Sequence, residues 1–180
     1  MGVVLDKKKR TAWVTLEWPP LNALNLGVVR ELDQVLGDCG ADTRIDIVVL
    51  QGAGNRAFSA GVDIQDHTRE TVRGMLDTVH GLMRKLFALP QGTIAVVRGV
   101  CLGGGCESAT SYDLLVVSED SSFARPDIHV DYYRPVALAR LASLFDYHRV
   151  AKMTLTGRRF SAQEAFDTGL VNRFCSKDRV

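Results

Sequence analysis

Residues 93–107 have the sequence TIAVVRGVCLGGGCE, which contains a strand, a turn and the start of a helix. The apolar and β-branched residues from Thr93 to Val100 predict a buried strand. Gly103-Gly104-Gly105 follows and leads into a short helix, which we predict near Cys106 to Ser111. This order is typical of α/β proteins, in which ligands bind at the carboxyl ends of parallel strands.

A second stretch of this kind lies upstream, where Phe58-Ser59-Ala60-Gly61-Val62-Asp63-Ile64 follows a predicted strand at Ile45 to Leu50. Small residues at such turns let a substrate approach bare backbone, and two N–H groups from two turns can converge on one oxygen atom. The two stretches together outline an oxyanion hole. The alternative, in which the glycines serve only as tight turns, stays open on spacing alone.

The rest of the chain alternates strands and helices, which implies βαβ crossovers and a largely parallel sheet. Apart from the strands and the helix above, the apolar spacing predicts strands at Val3–Leu5, Thr11–Trp18 and Leu114–Val117, and helices at Val28–Cys39, Val72–Phe87, Val136–Leu144, Val150–Leu155 and Ala162–Phe166. Ser161 is the predicted N-cap of the last helix and Gly169 its stop. The charged run Lys7-Lys8-Lys9-Arg10 is predicted to be a solvated hairpin turn. No repeat or linker divides the chain, so we expect a single domain over residues 1–180.

Composition excludes several classes of function. The 180 residues are 46% hydrophobic, which is enough for one sizeable core. With 22 basic and 21 acidic residues the net charge is +1, so we expect neither nucleic acid nor an anionic membrane surface as partner. No run approaches the roughly 18 apolar residues of a membrane span, and the N-terminal charges follow the apolar run, unlike a signal peptide. We therefore expect a cytoplasmic protein with four reduced cysteines.

Two other stretches resemble known functional motifs, a dinucleotide-binding loop and a nucleophile elbow, but each departs from its pattern. Residues 52–57 fit the loose G-x-G-x-x-G/A dinucleotide pattern, but no helix begins there and the expected acidic position falls within a predicted helix near Asp77. The run Gly104 to Ser108 resembles a nucleophile elbow centred on Cys106, but it has serine where the second glycine should be. A thiol hydrolase also needs a histidine partner, and none of the four histidines has a motif context.

Two carboxylates lie near the glycine turn in the predicted arrangement. Glu107 falls on the first turn of the helix that follows the triple glycine, and Asp127 comes twenty residues later in Arg125-Pro126-Asp127. A carboxylate at a helix N-terminus can simply complement the helix dipole. Two carboxylates that face one oxyanion site form an acid/base pair instead.

At these residues the chain resembles the crotonase superfamily, the enoyl-CoA hydratases and isomerases. AFSAGVDI (57–64) and GVCLGGGCE (99–107) carry the resemblance, which extends from the N-terminal hairpin to Leu170-Val171-Asn172. It implies an α/β crotonase-like fold, a (ββα)-repeat spiral core with a largely parallel sheet. Members of the superfamily continue into C-terminal helices that pack against neighbouring subunits. We therefore expect this chain to be the core, with the C-terminal helical trimerisation part missing or shortened.

The resemblance also implies roles for individual residues. The backbone N–H groups of Val62 and Gly104 would form the oxyanion hole for the thioester carbonyl. Glu107 would be the first catalytic acid and Asp127 the second, one methylene shorter than the glutamate of the family's Pro-Glu pair. The implied substrate- and CoA-binding residues are Ala60, Val62, Asp63, Ile64, Gln65 and Gly104. Bulky residues from His129 to Pro135 replace a glycine-rich loop and would shape the acyl pocket.

The implied reaction is the addition of water across a double bond conjugated to a CoA thioester. The substrate is then an acyl-CoA, and no metal or redox cofactor is expected, because the thioester acidifies its own α-position. GVDIQDHT (61–68) and RPVALARL (134–141) are most similar to the cyclohexa-1,5-diene-1-carbonyl-CoA hydratases of anaerobic aromatic degradation. A double-bond isomerase and a catalytically silent acyl-CoA-binding module remain the alternatives. The resemblance further implies a homotrimer or a hexamer.

Overall fold

A computed structural model describes residues 2–63, 70–130 and 147–180, with the side chains of 129 and 130 excepted. Its strands are β1 Gly2–Lys8, β2 Thr11–Glu17, β3 Ile47–Gly52, β4 Ala57–Ser59, β5 Gly92–Val97, β6 Val100–Leu102, β7 Leu114–Ser118, β8 Ser122–Ala124, β9 Phe160–Ser161 and β10 Arg173–Cys175. Its α-helices are α1 Leu26–Ala41, α2 Val72–Phe87, α3 Gly104–Ala109, α4 Tyr147–Thr156 and α5 Ala162–Asp167. Short 3-10 turns span Pro126–Val130 and Lys177–Arg179.

Within these ranges the strands form two sheets. The larger has the order β1-β2-β3-β5-β7-β10, and only its β1–β2 pair is antiparallel. The smaller has the order β4-β6-β8-β9, with parallel pairing from β4 to β8. The chain order β3-β4-α2 is repeated as β5-β6-α3. The predicted α/β fold with a largely parallel sheet and a ββα repeat is therefore confirmed.

The N-terminal hairpin confirms the predicted alternation, because Ala12, Val14 and Leu16 of β2 are all buried. The predicted turn is too long. Lys7 and Lys8 continue the β1 ladder and pair with Ala12 and Thr11, so only Lys9 and Arg10 make the turn. Lysine tolerates this register because its charged end stays in solvent.

The predicted strand from Thr93 to Val100 is confirmed from Thr93 to Val97 but does not continue to Val100, because the chain changes sheets between these residues. Strand β5 ends at Val97 in the larger sheet, and β6 begins at Val100 in the smaller one. Gly99, with φ +67°, makes the change of direction. The next N–H, that of Val100, donates to the carbonyl of Arg56 at 3.0 Å, which joins β6 to the start of β4.

This change of sheet corrects the placement of the two glycine-containing stretches. They follow β4 and β6, neighbouring parallel strands of the smaller sheet, rather than the strands of the larger sheet. The principle behind the prediction still applies, since the carboxyl ends of adjacent parallel strands lie at one sheet edge. The smaller sheet therefore positions both stretches together.

Helices α1 and α2 cover the larger sheet. The bounds predicted for α2 are confirmed, and its buried face consists of Met75, Val79, Leu82, Met83 and Leu86. Phe87, the last residue of the predicted helix, is 50% exposed because it lies beyond this face. The Lys85 Nζ atom donates to the Asp33 carboxylate at 2.6 Å and ties α2 to α1.

The C-terminal part confirms the predicted N-cap. The Ser161 hydroxyl accepts from the Glu164 N–H at 3.1 Å, and the Glu164 carboxylate accepts from the Ser161 N–H at 3.0 Å, which is a capping box. Gly169, with φ +79°, follows the end of α5. Strand β10 then extends the larger sheet beside β7. The helix predicted at Val136–Leu144 lies outside the described residues.

Two further predictions concern the state of the cysteines and the presence of membrane-spanning helices. All four cysteines are free thiols, and three of them, Cys39, Cys101 and Cys106, are buried. Across residues 2–63, 70–130 and 147–180, no helix has both the length and the apolar character that a bilayer crossing requires.

We predict that the sheet change depends on glycine at position 99. A Cβ atom there would lie 2.2 Å from the Arg56 carbonyl oxygen, whereas a Cβ atom on Gly54, which has a similar positive φ of +73°, meets nothing within 4 Å. Gly99→Ala should lower the free energy of unfolding by about 3 kcal/mol or more. Gly54→Ala, the matched control, should cost about 1 kcal/mol. Urea unfolding measures both, and equal costs would contradict the account.

Candidate active site

The stretch after β4 is held against the segment that precedes α1. The N–H of Ala60 donates to Leu21 at 2.9 Å, and the N–H of Leu24 donates to Gly61 at 2.8 Å. The N–H of Asp63 donates to the carbonyl of Leu24 at 3.3 Å. These bonds fix the backbone of residues 60–63, the first of the two loops that the sequence singled out.

Two buried polar side chains support this loop, and the sequence analysis missed both. The Asn22 amide donates to the Ala57 carbonyl at 2.8 Å, and its oxygen accepts from the Trp18 N–H at 3.1 Å. The Ser59 hydroxyl accepts from the Gly61 N–H at 3.1 Å. Asn22 has a positive φ of +54°, a conformation that asparagine tolerates. Its position after Pro19-Pro20-Leu21 was the signal that could have marked it.

The second loop is the turn from β6 into α3, and it lies directly against the first. A Cβ atom on Gly61 would lie 2.9 Å from the Leu102 carbonyl oxygen and 3.0 Å from the Gly104 nitrogen. A Cβ atom on Gly105 would lie 2.6 Å from the Ser59 carbonyl oxygen. Only glycine permits such distances between two backbones, so the glycines do more than make tight turns.

Two backbone N–H groups are available where these loops meet. Gly104 is the first residue of α3, so its N–H has no acceptor within the helix. In the described part of the chain, the bridge between residues 24 and 62 uses the Gly61 carbonyl and the Asp63 N–H, and the Val62 N–H donates to no backbone carbonyl. The Gly61 contact with Gly104 brings both N–H groups into the same small region.

Both predicted carboxylates lie beside this meeting point. Glu107 is on the first turn of α3 and is only 4% exposed. Asp127 is the second residue of the 3-10 turn after β8, and its Oδ1 atom lies 3.3 Å from the position of a Cβ atom on Gly103. The charges of both residues act on the buried Cys106 sulfur, which lies between Glu107 and the glycine turn in the sequence. The structure thus brings together Val62, Gly104, Glu107 and Asp127.

A third charged residue, Arg125, lies beside Asp127. The Arg125 side chain is 2% exposed, and its Nε atom donates to Asp127 Oδ2 at 3.3 Å. The sequence analysis noted Arg125 only as part of Arg125-Pro126-Asp127. A buried position for it could not be inferred, because arginine is mostly exposed in proteins.

Cys106 is not placed to act as a nucleophile. It is fully buried, as is the neighbouring Cys101 thiol, whose pKa burial raises well above its usual value. The hydrogen bond from Cys101 lowers the pKa of Cys106, while burial opposes the change. A nucleophilic thiol must reach a substrate, so the burial of Cys106 argues against the thiol hydrolase.

Several predicted site residues cannot be placed. Ile64 and Gln65 of the implied CoA-binding loop, and residues 131–135 of the implied acyl pocket, lie outside the described residues. The other residues of the implied CoA-binding loop, Val62 and Asp63, are partly exposed, as is Ala60.

Comparison with known proteins gives consistent results. Residues 6–180 match the family model described as enoyl-CoA hydratase/isomerase. A short-chain-enoyl-CoA hydratase of Clostridium acetobutylicum is 34% identical over 177 residues, which cover 96% of this chain and 68% of that enzyme. A probable enoyl-CoA hydratase of Rhizobium meliloti is 34% identical over 181 residues, covering 99% and 70% of the two chains.

A solved structure extends the likeness to three dimensions. The crystal structure of an enoyl-CoA hydratase/carnitine racemase from Magnetospirillum magneticum superposes with a TM-score of 0.93 at 30% identity. The superposition covers 98% of this chain and 68% of that chain. Because the family model matches nearly the whole of this chain, the chain belongs to the enoyl-CoA hydratase/isomerase family.

Proposed function

We propose that this chain hydrates a carbon-carbon double bond conjugated to a CoA thioester. Family membership supports an acyl-CoA substrate. The observation that carries the proposal is the contact between Gly61 and the Gly103-Gly104 turn, with the Asp127 carboxylate beside Gly103. In the proposal, the N–H groups of Val62 and Gly104 and this carboxylate act on the same small volume.

The two N–H groups account for activation of the thioester. In the proposal, the N–H groups of Val62 and Gly104 both donate to the thioester carbonyl oxygen. When hydroxide adds to the β-carbon, negative charge moves to this oxygen, and prepositioned donors stabilise it as the enolate forms. The thioester itself supplies the acidity at the α-carbon, so the proposal includes no metal or redox cofactor.

The two carboxylates account for the water. Glu107 and Asp127 would hold one water molecule between them, so that one takes a proton from it as its oxygen bonds to the β-carbon. The other then donates a proton to the α-carbon, which neutralises the enolate and completes the addition. Asp127 is one methylene shorter than glutamate, so the water would lie closer to β8 and the turn that follows it.

Substrate and assembly are the finer parts of the proposal. GVDIQDHT (61–68) and RPVALARL (134–141) favour a cyclic dienoyl-CoA as substrate and, with it, a role in aromatic degradation. A panel of straight-chain and cyclic enoyl-CoA esters, followed by loss of conjugated absorbance, tests this preference. We also propose a homotrimer or hexamer, which light scattering measures.

We predict that Glu107 is indispensable for hydration. Glu107→Gln keeps the size of this nearly buried side chain but cannot exchange a proton, so kcat should fall on the order of 10²–10⁴-fold. Binding of the CoA ester and the melting temperature should change little. Glu17→Gln, at an exposed position on β2, is the control and should keep the parental rate. Parental hydration by the Glu107 variant would exclude the assigned role.

Displacing the loop at Gly61 should disable the carbonyl site. In Gly61→Ala the new Cβ atom collides with the Leu102 carbonyl and the Gly104 nitrogen, which forces the two N–H groups apart. Because loss of one such donor typically costs about 10²–10³-fold in kcat, we expect a loss of about 100-fold or more. Gly74→Ala in α2, where a Cβ atom meets nothing within 4 Å, is the matched control. Equal rates in the two variants would contradict the proposed oxyanion hole.

Isotopic water separates hydration from isomerisation. In ¹⁸O-enriched water, the proposed reaction places the heavy isotope in a new hydroxyl group of the CoA-ester product, as mass spectrometry detects. A product that is rearranged but carries no ¹⁸O would establish the isomerase instead. No conversion of any ester in the panel would favour the catalytically silent acyl-CoA-binding module.

A further inference from the structure

Arg125 is a buried cation with few partners. Its guanidinium carries five N–H donors, yet the side chain is only 2% exposed. One donor, Nε, bonds to Asp127, and among the described residues Nη1 has no hydrogen-bond partner. Burying a charge with so few hydrogen bonds is costly, so retention of arginine here requires an explanation.

The position of Arg125 links it to the proposed chemistry. It follows the end of β8, and Pro126 separates it from Asp127 at the start of the 3-10 turn. The Arg125 Nε atom bonds to Asp127 Oδ2 at 3.3 Å, while Asp127 Oδ1 lies 3.3 Å from the Cβ position on Gly103. The guanidinium thus bonds one oxygen of a carboxylate whose two oxygens lie 3.3 and 3.7 Å from that Cβ position on the glycine turn.

Charge balance gives Arg125 a second role. The charges of Glu107, Asp127 and Arg125 all act on the buried Cys106 sulfur, and Arg125 is in direct contact with the Asp127 carboxylate. Two carboxylates in a weakly polar environment repel each other strongly. Arg125 contributes the opposite charge that lets Asp127 and Glu107 occupy one site.

We propose that Arg125 is a positioning residue that fixes the Asp127 carboxylate for the hydration step. This inference rests on the proposed function. Asp127 has a shorter side chain than glutamate, and Arg125 compensates by holding it at a set distance from the glycine turn. Since Arg125 bonds to Asp127, it acts through that carboxylate and not on the substrate.

The first test separates kcat from KM. Arg125→Met keeps an unbranched chain in the buried site but removes the charge, and such replacements of buried ions are often tolerated by the fold. We expect kcat to fall about 10- to 100-fold, because small misplacements of a reacting group cost rates of that size. KM should change less than about threefold, and Arg125→Lys should recover part of the lost rate.

A double-mutant cycle then asks whether Arg125 acts through Asp127. In an Asp127→Asn background, whose residual rate is measured at high enzyme concentration, Arg125→Met should change kcat less than about threefold. The matched control is Arg44→Met, which removes an arginine that also bonds an aspartate two residues away, Asp42, at 2.9 Å but is 84% exposed. It should leave kcat and KM unchanged. Circular dichroism confirms that each variant is folded.

The outcomes distinguish the two claims. If Arg125→Met costs kcat alone and the cost disappears in the Asp127→Asn background, the inference holds. If Asp127→Asn impairs hydration but Arg125→Met does not, or if the two losses multiply, Arg125 is not a positioning residue and the proposed function stands. If Asp127→Asn and Glu107→Gln both hydrate at the parental rate, the proposed function itself fails. If the kcat of Arg125→Lys is as low as that of Arg125→Met, the positive charge of Arg125 does not contribute to the rate.

Discussion

Close approach of two backbones is the constraint on which the active site depends. The loop after β4 and the turn from β6 into α3 come so near at Gly61 and Gly104 that a Cβ atom on Gly61 would lie 3.0 Å from the Gly104 nitrogen. No side chain other than hydrogen fits there, so the chemistry of the site begins with glycine. This contact brings the N-terminus of α3 close to the backbone of Val62.

The two-sheet architecture makes that contact possible. Each ββα unit contributes one strand to the larger sheet and one short strand to the smaller, and the chain turns between β5 and β6 at Gly99. The larger sheet and helices α1 and α2 contain much of the apolar core, which leaves the smaller sheet free to position the loops. Asn22 and Ser59 then fix the first loop with hydrogen bonds that no apolar contact could supply.

The sequence predicted elements that have a strong local pattern and missed those that depend on distant contacts. Helix α2 was predicted with its observed bounds because its apolar face repeats over 16 residues, and Ser161 was recognised because a cap acts locally. Strands β4 and β8 are three residues long, too short for an alternating pattern, and exist through pairing with β6. For the site, motif resemblance supplied the glycines and acids, but the buried state of Arg125 became visible only in three dimensions.

The central claim is that two backbone N–H groups at the meeting of these loops polarise a thioester carbonyl. Infrared spectroscopy of a bound CoA ester carrying ¹³C at that carbonyl tests this most directly, because hydrogen bonding lowers the C=O stretching frequency. We expect the band to lie at lower frequency on the parental enzyme than in water, and to return toward the aqueous value on Gly61→Ala. A band at the aqueous frequency on the parental enzyme would contradict the account.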